Sequence, residues 1–246
     1  AQRLLIHRGD PTAVEPLAKL LETSPNPKAR LHALCALDGL GKLRLEQVLT
    51  GMRDPHPGVR EHAIRVSEAL LHSGQGQALG EALNRLVDDP EIRVRRQLAF
   101  SLGEWNSPVA GTLLARLTNH AGDEPELQTA IASSAVGHSV PILDQLFSGP
   151  HDTENLRLME IMLRLAAIEA DDDELKKLLR RLVNTPAGLE PWRVEALSAL
   201  LSGARTRQLP LDTPFADATF RQALHAMATN AKATPDGRVA ALRLHV

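Results

Sequence analysis

Tyrosine is missing from this 246-residue sequence, and the remaining aromatics are Trp105, Trp192, Phe100, Phe147, Phe215 and Phe220, 2% of the chain. Base-stacking platforms and aromatic cages need rings in number, which disfavours both. An excess of positive charge is missing too: 28 Lys and Arg stand against 30 Asp and Glu, a net charge of -2. Proteins that live on phosphate backbones are normally strongly basic, so the balance points away from nucleic acid. Cys35 is the sole cysteine, which excludes an internal disulfide, a multi-thiolate zinc site and a CxxCH haem attachment within this sequence. In its Ala/Leu-rich setting it reads as a small buried hydrophobe. Long apolar runs are absent as well. The longest stretch free of Asp, Glu, Lys and Arg runs from Leu127 to Leu143, and Gln128, Ser133, Ser134, Gly137, His138 and Pro141 interrupt it, so no membrane span is expected.

What is present is self-similarity. Ala29-Arg30-Leu31-His32-Ala33-Leu34 lies over Val59-Arg60-Glu61-His62-Ala63-Ile64, with Ala36 over Val66 and Leu40 over Leu70. Val94-Arg95-Arg96-Gln97-Leu98-Ala99 is a third copy, and weaker ones follow at Leu127-Gln128, Leu156-Arg157, Trp192-Arg193 and Gly237-Arg238. Arg60 comes 30 residues after Arg30 and Arg95 35 after Arg60, periods that belong to stacked helical pairs. Val59, Ala63, Val66 and Leu70 form a helical stripe. Val14, Leu17 and Leu21, then Leu45, Val48 and Met52, then Leu175, Leu178 and Leu182 repeat it in the second helices. Nothing alternates like a half-buried strand.

The pattern predicts first helices near 1–8, 27–40, 55–72, 90–104, 124–136, 152–170, 188–202 and 235–246. Second helices fall near 12–23, 44–53, 76–88, 107–119, 139–148 and 172–184, with a longer connection from Gly203 to Pro214 and a helix from about Phe215 to Asn230. Asp54-Pro55 and Asp89-Pro90 read as capping carboxylates before a proline at the first helical position.

Arg8-Gly9-Asp10-Pro11-Thr12-Ala13-Val14-Glu15-Pro16-Leu17 resembles the turn and second helix of HEAT repeats of the phycobilisome-lyase type. Asp54-Pro55-His56-Pro57-Gly58-Val59-Arg60-Glu61-His62-Ala63 resembles the start of their first helix. The resemblance is good over residues 3–119 and looser afterwards. It implies an all-α, right-handed solenoid of about seven helix pairs spanning residues 1–246, with regular repeats over 1–119 and divergent ones over 120–246. A narrower resemblance rests on Ala1-Gln2-Arg3-Leu4-Leu5, on Ser24-Pro25-Asn26-Pro27-Lys28 and the six residues after it, and on Leu37-Asp38-Gly39-Leu40-Gly41. These segments are similar to the helical-repeat region of large planctomycete-type proteins that also carry a β-propeller and a c-type cytochrome domain. That resemblance implies a segment of a longer chain, a spacer or docking arm within an exported, periplasmic haem protein. The redox roles of the propeller and cytochrome domains fall on no residue here.

The ladder Arg30, Arg60 and Arg95 has the chemistry to bind an anion, but pairing with the turn carboxylates Asp54 and Asp89 accounts for it within the fold. His32 and His62 occupy equivalent positions on adjacent repeats without a third ligand, so no metal is expected. Asp171-Asp172-Asp173-Glu174 lacks the alternating ligands, glycine and distal glutamate of a calcium loop and reads as a helix start. Lys176, Lys177, Arg180 and Arg181 read as a solvated basic face beside it.

These readings converge on a non-catalytic scaffold with no cofactor, whose partner is a protein or a neighbouring domain of the same chain. Solenoids bind through the polar side of their second helices, which nominates Glu15, Lys19, Glu46, Thr50, Arg53, Glu81, Arg85 and Arg116. Two alternatives attach to the repeat class: a lyase-like chaperone handling a tetrapyrrole, and a solenoid DNA glycosylase. The scarcity of aromatic rings counts against both.

Overall fold

Proline marks where many of the helices begin. The computed structural model describes residues 2–72, 75–122, 124–183, 190–204, 218–229 and 238–242, and no strand occurs among them. The chain is all-α. Its helices are α1 (Gln2–Arg8), α2 (Val14–Thr23), α3 (Pro27–Gly39), α4 (Leu45–Met52), α5 (Pro57–Leu71), α6 (Gly76–Leu86) and α7 (Ile92–Gly103). They continue as α8 (Pro108–Leu117), α9 (Pro125–Ser133), α10 (Ser139–Ser148), α11 (Thr153–Glu169), α12 (Asp172–Val183), α13 (Pro191–Ala204) and α14 (Ala218–Thr229). Residues 238–242 are also helical, and the expected connection through Pro210 and Pro214 lies outside the described residues.

Helices α3, α5, α8, α9 and α13 start on Pro27, Pro57, Pro108, Pro125 and Pro191, where a missing N–H costs nothing. The residue in front often caps the end. Asn26 accepts from the Lys28 N–H at 3.0 Å, Ser107 from Val109 at 3.2 Å, and His56 Nδ1 from Gly58 at 3.1 Å. Here the structure corrects the sequence: α5 is capped by His56 rather than Asp54, and α7 begins behind Glu91, not Asp89. Asp54 and Asp89 sit two residues earlier and close the turns, accepting from the His56 N–H at 2.8 Å and the Glu91 N–H at 3.0 Å. Their other hydrogen bonds are claimed from one repeat away.

The helices form two compact units, Ala1–Ser134 and Ala135–Val246. In the first, α1, α3, α5, α7 and α9 pack each on the next, and α2, α4, α6 and α8 do the same. The two rows interleave through α2–α3, α3–α4, α4–α5, α5–α6, α6–α7 and α7–α8. Helices of the first row have neighbours on several sides and bury residues round much of their circumference. Val59, Ala63, Ile64, Val66, Ser67 and Leu71 of α5 are all buried, while Leu70 is only half-buried. Second-row helices are one-sided: Leu79, Leu83 and Leu86 of α6 point inward, and Glu81, Asn84 and Arg85 outward. Trp105, 7% exposed, lies against α6, where a Cβ on Gly80 would come within 3.1 Å of its ring.

In the second unit α11 packs on α10 and α13, and α12 packs on α13. The contact between α11 and α13 is the close one. A Cβ on Gly203 would fall 2.6 Å from the Ala167 Cβ and 3.0 Å from the Arg164 carbonyl, so glycine is required there. Leu175, Leu178, Leu179 and Leu182 give α12 a single buried side. Its start is built by Asp171, whose Oδ1 accepts from the Asp173 and Glu174 N–H groups at 2.9 and 2.8 Å, as the acidic run suggests.

Candidate functional site

Two sets of residues bear on function: the ladder inside the first unit, and the exposed side of its second helices. Two arginines of the ladder reach the turn carboxylates. Arg30 grips Asp54 with two parallel bonds, Nε to Oδ2 at 2.6 Å and Nη2 to Oδ1 at 2.7 Å. Arg60 grips Asp89 in the same way, at 2.7 and 2.9 Å. Fork-on-carboxylate geometry is the strong form of the ion pair, and these carboxylates are 5% and 4% exposed. Each arginine spends a further N–H on the turn before its own helix: Arg30 on the Ser24 carbonyl at 2.8 Å, Arg60 on Asp54 at 3.0 Å, and Arg95 on Asp89 at 2.6 Å. Burial pushes the Asp54 carboxyl up, but the hydrogen bonds from Arg30 and the His56 N–H outweigh it and hold the group below the usual carboxylate range. Pairing with Asp54 and Asp89 raises Arg30 and Arg60. The third rung differs, for Arg95 Nε is buried without a partner. The acidic residue at the corresponding downstream position, Asp123, lies outside the described residues.

With their forks filled, Arg30 and Arg60 are structural ties. His32 and His62 are likewise engaged locally, through Nδ1 with Gln2 Oε1 and with the Gly58 carbonyl, each at 2.9 Å. Among the described residues no three His, Cys, Asp or Glu side chains are grouped to hold a metal ion, and no helix is long and apolar enough to cross a membrane. Cys35 is half-buried with Arg65 Nη2 4.0 Å from its sulfur, and burial raises its thiol.

All eight nominated second-helix residues reach solvent. Glu15, Lys19, Glu46, Thr50, Arg53, Glu81 and Arg85 are exposed, and Arg116 is partly covered. Thr50 turns its hydroxyl back to the Glu46 carbonyl at 2.8 Å. Arg116 reaches across to Asn84 of α6 and to Asp88 in the turn behind it. His120 meets the same Asp88 carboxylate at 2.9 Å. The His120 hydrogen bond, with the charge of Arg116 beside it, holds Asp88 below the usual carboxylate range. This clamp ties the end of α6 and the turn behind it to α8 and the turn after that, with the exposed Val109 of α8 beside Gly80 of α6. Asn84, Asp88 and His120 were not among the nominated residues. The signal was available as opposite charges one repeat apart, and Arg93 with Glu61 and Arg96 with Glu126 follow the same rule on the first row.

The arrangement offers a mixed-charge surface distributed over four helices. No protein-family model matches the chain, and no curated protein matches its sequence.

Proposed function

We propose that this chain is a non-catalytic scaffold, a right-handed solenoid of HEAT-type helix pairs that docks a protein or a neighbouring domain along its second helices. The observation that supports this best is the interleaved double row in the first unit, whose second-row helices α2, α4, α6 and α8 carry exposed charged and polar residues, among them Glu15, Lys19, Glu46, Glu81 and Arg85, beside the exposed apolar Leu20 and Val109. An extended side of mixed charge suits broad, shallow contact with another protein, where complementary charge sets register and on-rate. Rigid rungs between successive pairs would keep the spacing of those groups fixed. The wider setting, a spacer or docking arm in an exported haem protein, rests on the sequence resemblance.

The reading is tested by charge reversal. Glu15, Lys19, Glu46, Arg53, Glu81 and Arg85 are inverted together, and crosslinking capture is compared with that of a variant inverted at Arg93 and Glu61 on the other row. Loss of the captured protein in the first variant alone, with helical circular dichroism unchanged in both, supports the second-helix side. Equal capture by both variants overturns it. A spectral shift on titration with haem or bilin would replace the scaffold with a tetrapyrrole chaperone, and retention of duplex DNA at low salt would point to nucleic acid.

A further inference from the structure

His151, half-buried between α10 and α11, belongs to none of the features above. Its ring stacks on the Trp192 indole in the first turn of α13, with centroids 3.8 Å and planes 12° apart. Phe147 in the last turn of α10 lies 6.4 Å from the same indole, tilted by 39°. Two cations flank these rings: Arg193 is 4.5 Å from the Trp192 centroid and Arg181 is 4.8 Å from that of Phe147. Both are answered by carboxylates. Arg193 Nε and Trp192 Nε1 donate to Glu190 at 3.1 and 3.2 Å, and Arg181 pairs with Asp144 of α10. Amid this pairing, His151 Nε2 is buried without a hydrogen-bond partner.

A neutral imidazole tolerates that position, because with the proton on Nδ1 the buried Nε2 is only an unused lone pair. The imidazolium does not. Both nitrogens then carry N–H, and Nε2 becomes a charged donor with nothing to accept it. The indole face does attract a cation, but Arg193 already lies against that ring. Of the other charged groups near it, Glu190 and Asp152 favour the proton and Arg193 opposes it. Residues 184–189, which join α12 to α13, carry no titratable side chain.

We propose that the His151–Trp192 stack is a proton-operated clasp. Neutral, it holds the α10–α11 loop against the first turn of α13; protonated, it releases that corner of the second unit. Burial is the largest influence on the ring and sets it below the ordinary histidine range. The sign follows from linkage. The folded state disfavours the proton, so stability is full above the unfolded-state histidine value of about 6.5 and declines as pH falls below it.

The indole itself reports the event, because Trp192 is only 8% exposed while the stack is closed and its emission changes when release lets water reach it. Emission of the whole chain is titrated from neutral to mildly acidic pH and compared with His151→Phe, which keeps a stacked ring that cannot take a proton. The His151 ring is followed in parallel by NMR. The expected result is an emission change in the wild type with a midpoint below about 6.5, the same midpoint for the ring, and no such change in His151→Phe. His151→Gln should show the acid-state emission already at neutral pH. The same transition in His151→Phe, or a ring titrating at or above the ordinary value, overturns the clasp. So does a ring that titrates low without any change in emission. Should His151→Phe fail to fold, the wild-type ring titration and emission still decide.

Discussion

Residues Ala1–Ser134 and Ala135–Val246 both stack helices, yet they join them with different chemistry. In the first unit, buried arginine forks tie α3 to the turn before α5, and α5 to the turn before α7. In the second, the ion pairs seen among the described residues all have a partner well exposed to solvent, and the close joints are packing contacts: Gly203 seated on Ala167, and Trp192 packed with Phe147 and His151. A buried ion pair adds little net stability over an apolar replacement, but it has only one correct partner and so fixes register. Packing contacts stabilise without choosing so sharply. The comparison separates what specifies a stack from what holds it together.

The largest expected effect breaks one unit alone. Ala63→Arg buries an unpaired charge at a position with no exposed surface, which should cost about 4 kcal/mol or more. Hydrogen exchange should then show α3, α5 and α7 unprotected while α11 and α13 keep their protection. Equal loss in both units would mean that they do not fold independently. Next comes Arg60→Met, which strands the Asp89 carboxylate and should cost about 3 kcal/mol in a denaturant melt. Adding Asp89→Leu should recover most of that loss, whereas a double variant as unstable as the single would show that the rung is a net source of stability.

Acid separates the units more gently. The Asp54 carboxyl is depressed in the folded state, so the Arg30 rung is fully effective above the unfolded carboxylate value of about 3.9 and is lost as pH falls through the lower folded value. His151 is depressed too, but as a base, so the second unit weakens already below about 6.5. Exchange measured across this range should show the α10–α11 loop and the start of α13 opening while α3 and α5 stay protected; the reverse order would contradict both assignments. The smallest effect belongs to the exposed tie between Arg93 and Glu61. Arg93→Ala should cost under about 1 kcal/mol, less still in high salt. A larger loss would mean that the first row also depends on its surface pairs.

The same contrast explains what could be read from the residues. The helix positions, and the turn carboxylates within reach of Arg30 and Arg60, were legible because arginine recurs at intervals of about 30 residues beside Asp-Pro turns. The cap assignment failed at Asp54 for a reason local pattern does not contain. Pro55 and Pro57 can each open a helix, and the choice is made by Arg30, which occupies the carboxylate from the previous repeat. The Asp88 clamp depends on how α6 and α8 are rotated, and the His151–Trp192 stack pairs residues of different helix pairs with no periodicity to announce it. All eight nominated second-helix positions are at the surface, since an amphipathic period fixes which side faces solvent. Which of them a partner touches depends on the partner.

Arg60 holds the Asp89 carboxylate with one edge of its guanidinium and the Asp54 carbonyl with the other, while the Asp54 carboxylate is held by Arg30. The links run without interruption from the Ser24 carbonyl through Arg30, Asp54, Arg60 and Asp89 to Arg95. A second strand of attachment thus lies beside the covalent one. If a protease cuts the connection between α3 and α4, the Arg30–Asp54 fork still fixes how the pieces meet while the packing of α3 on α5 holds them, so a nicked molecule should migrate as one body until denaturant undoes both.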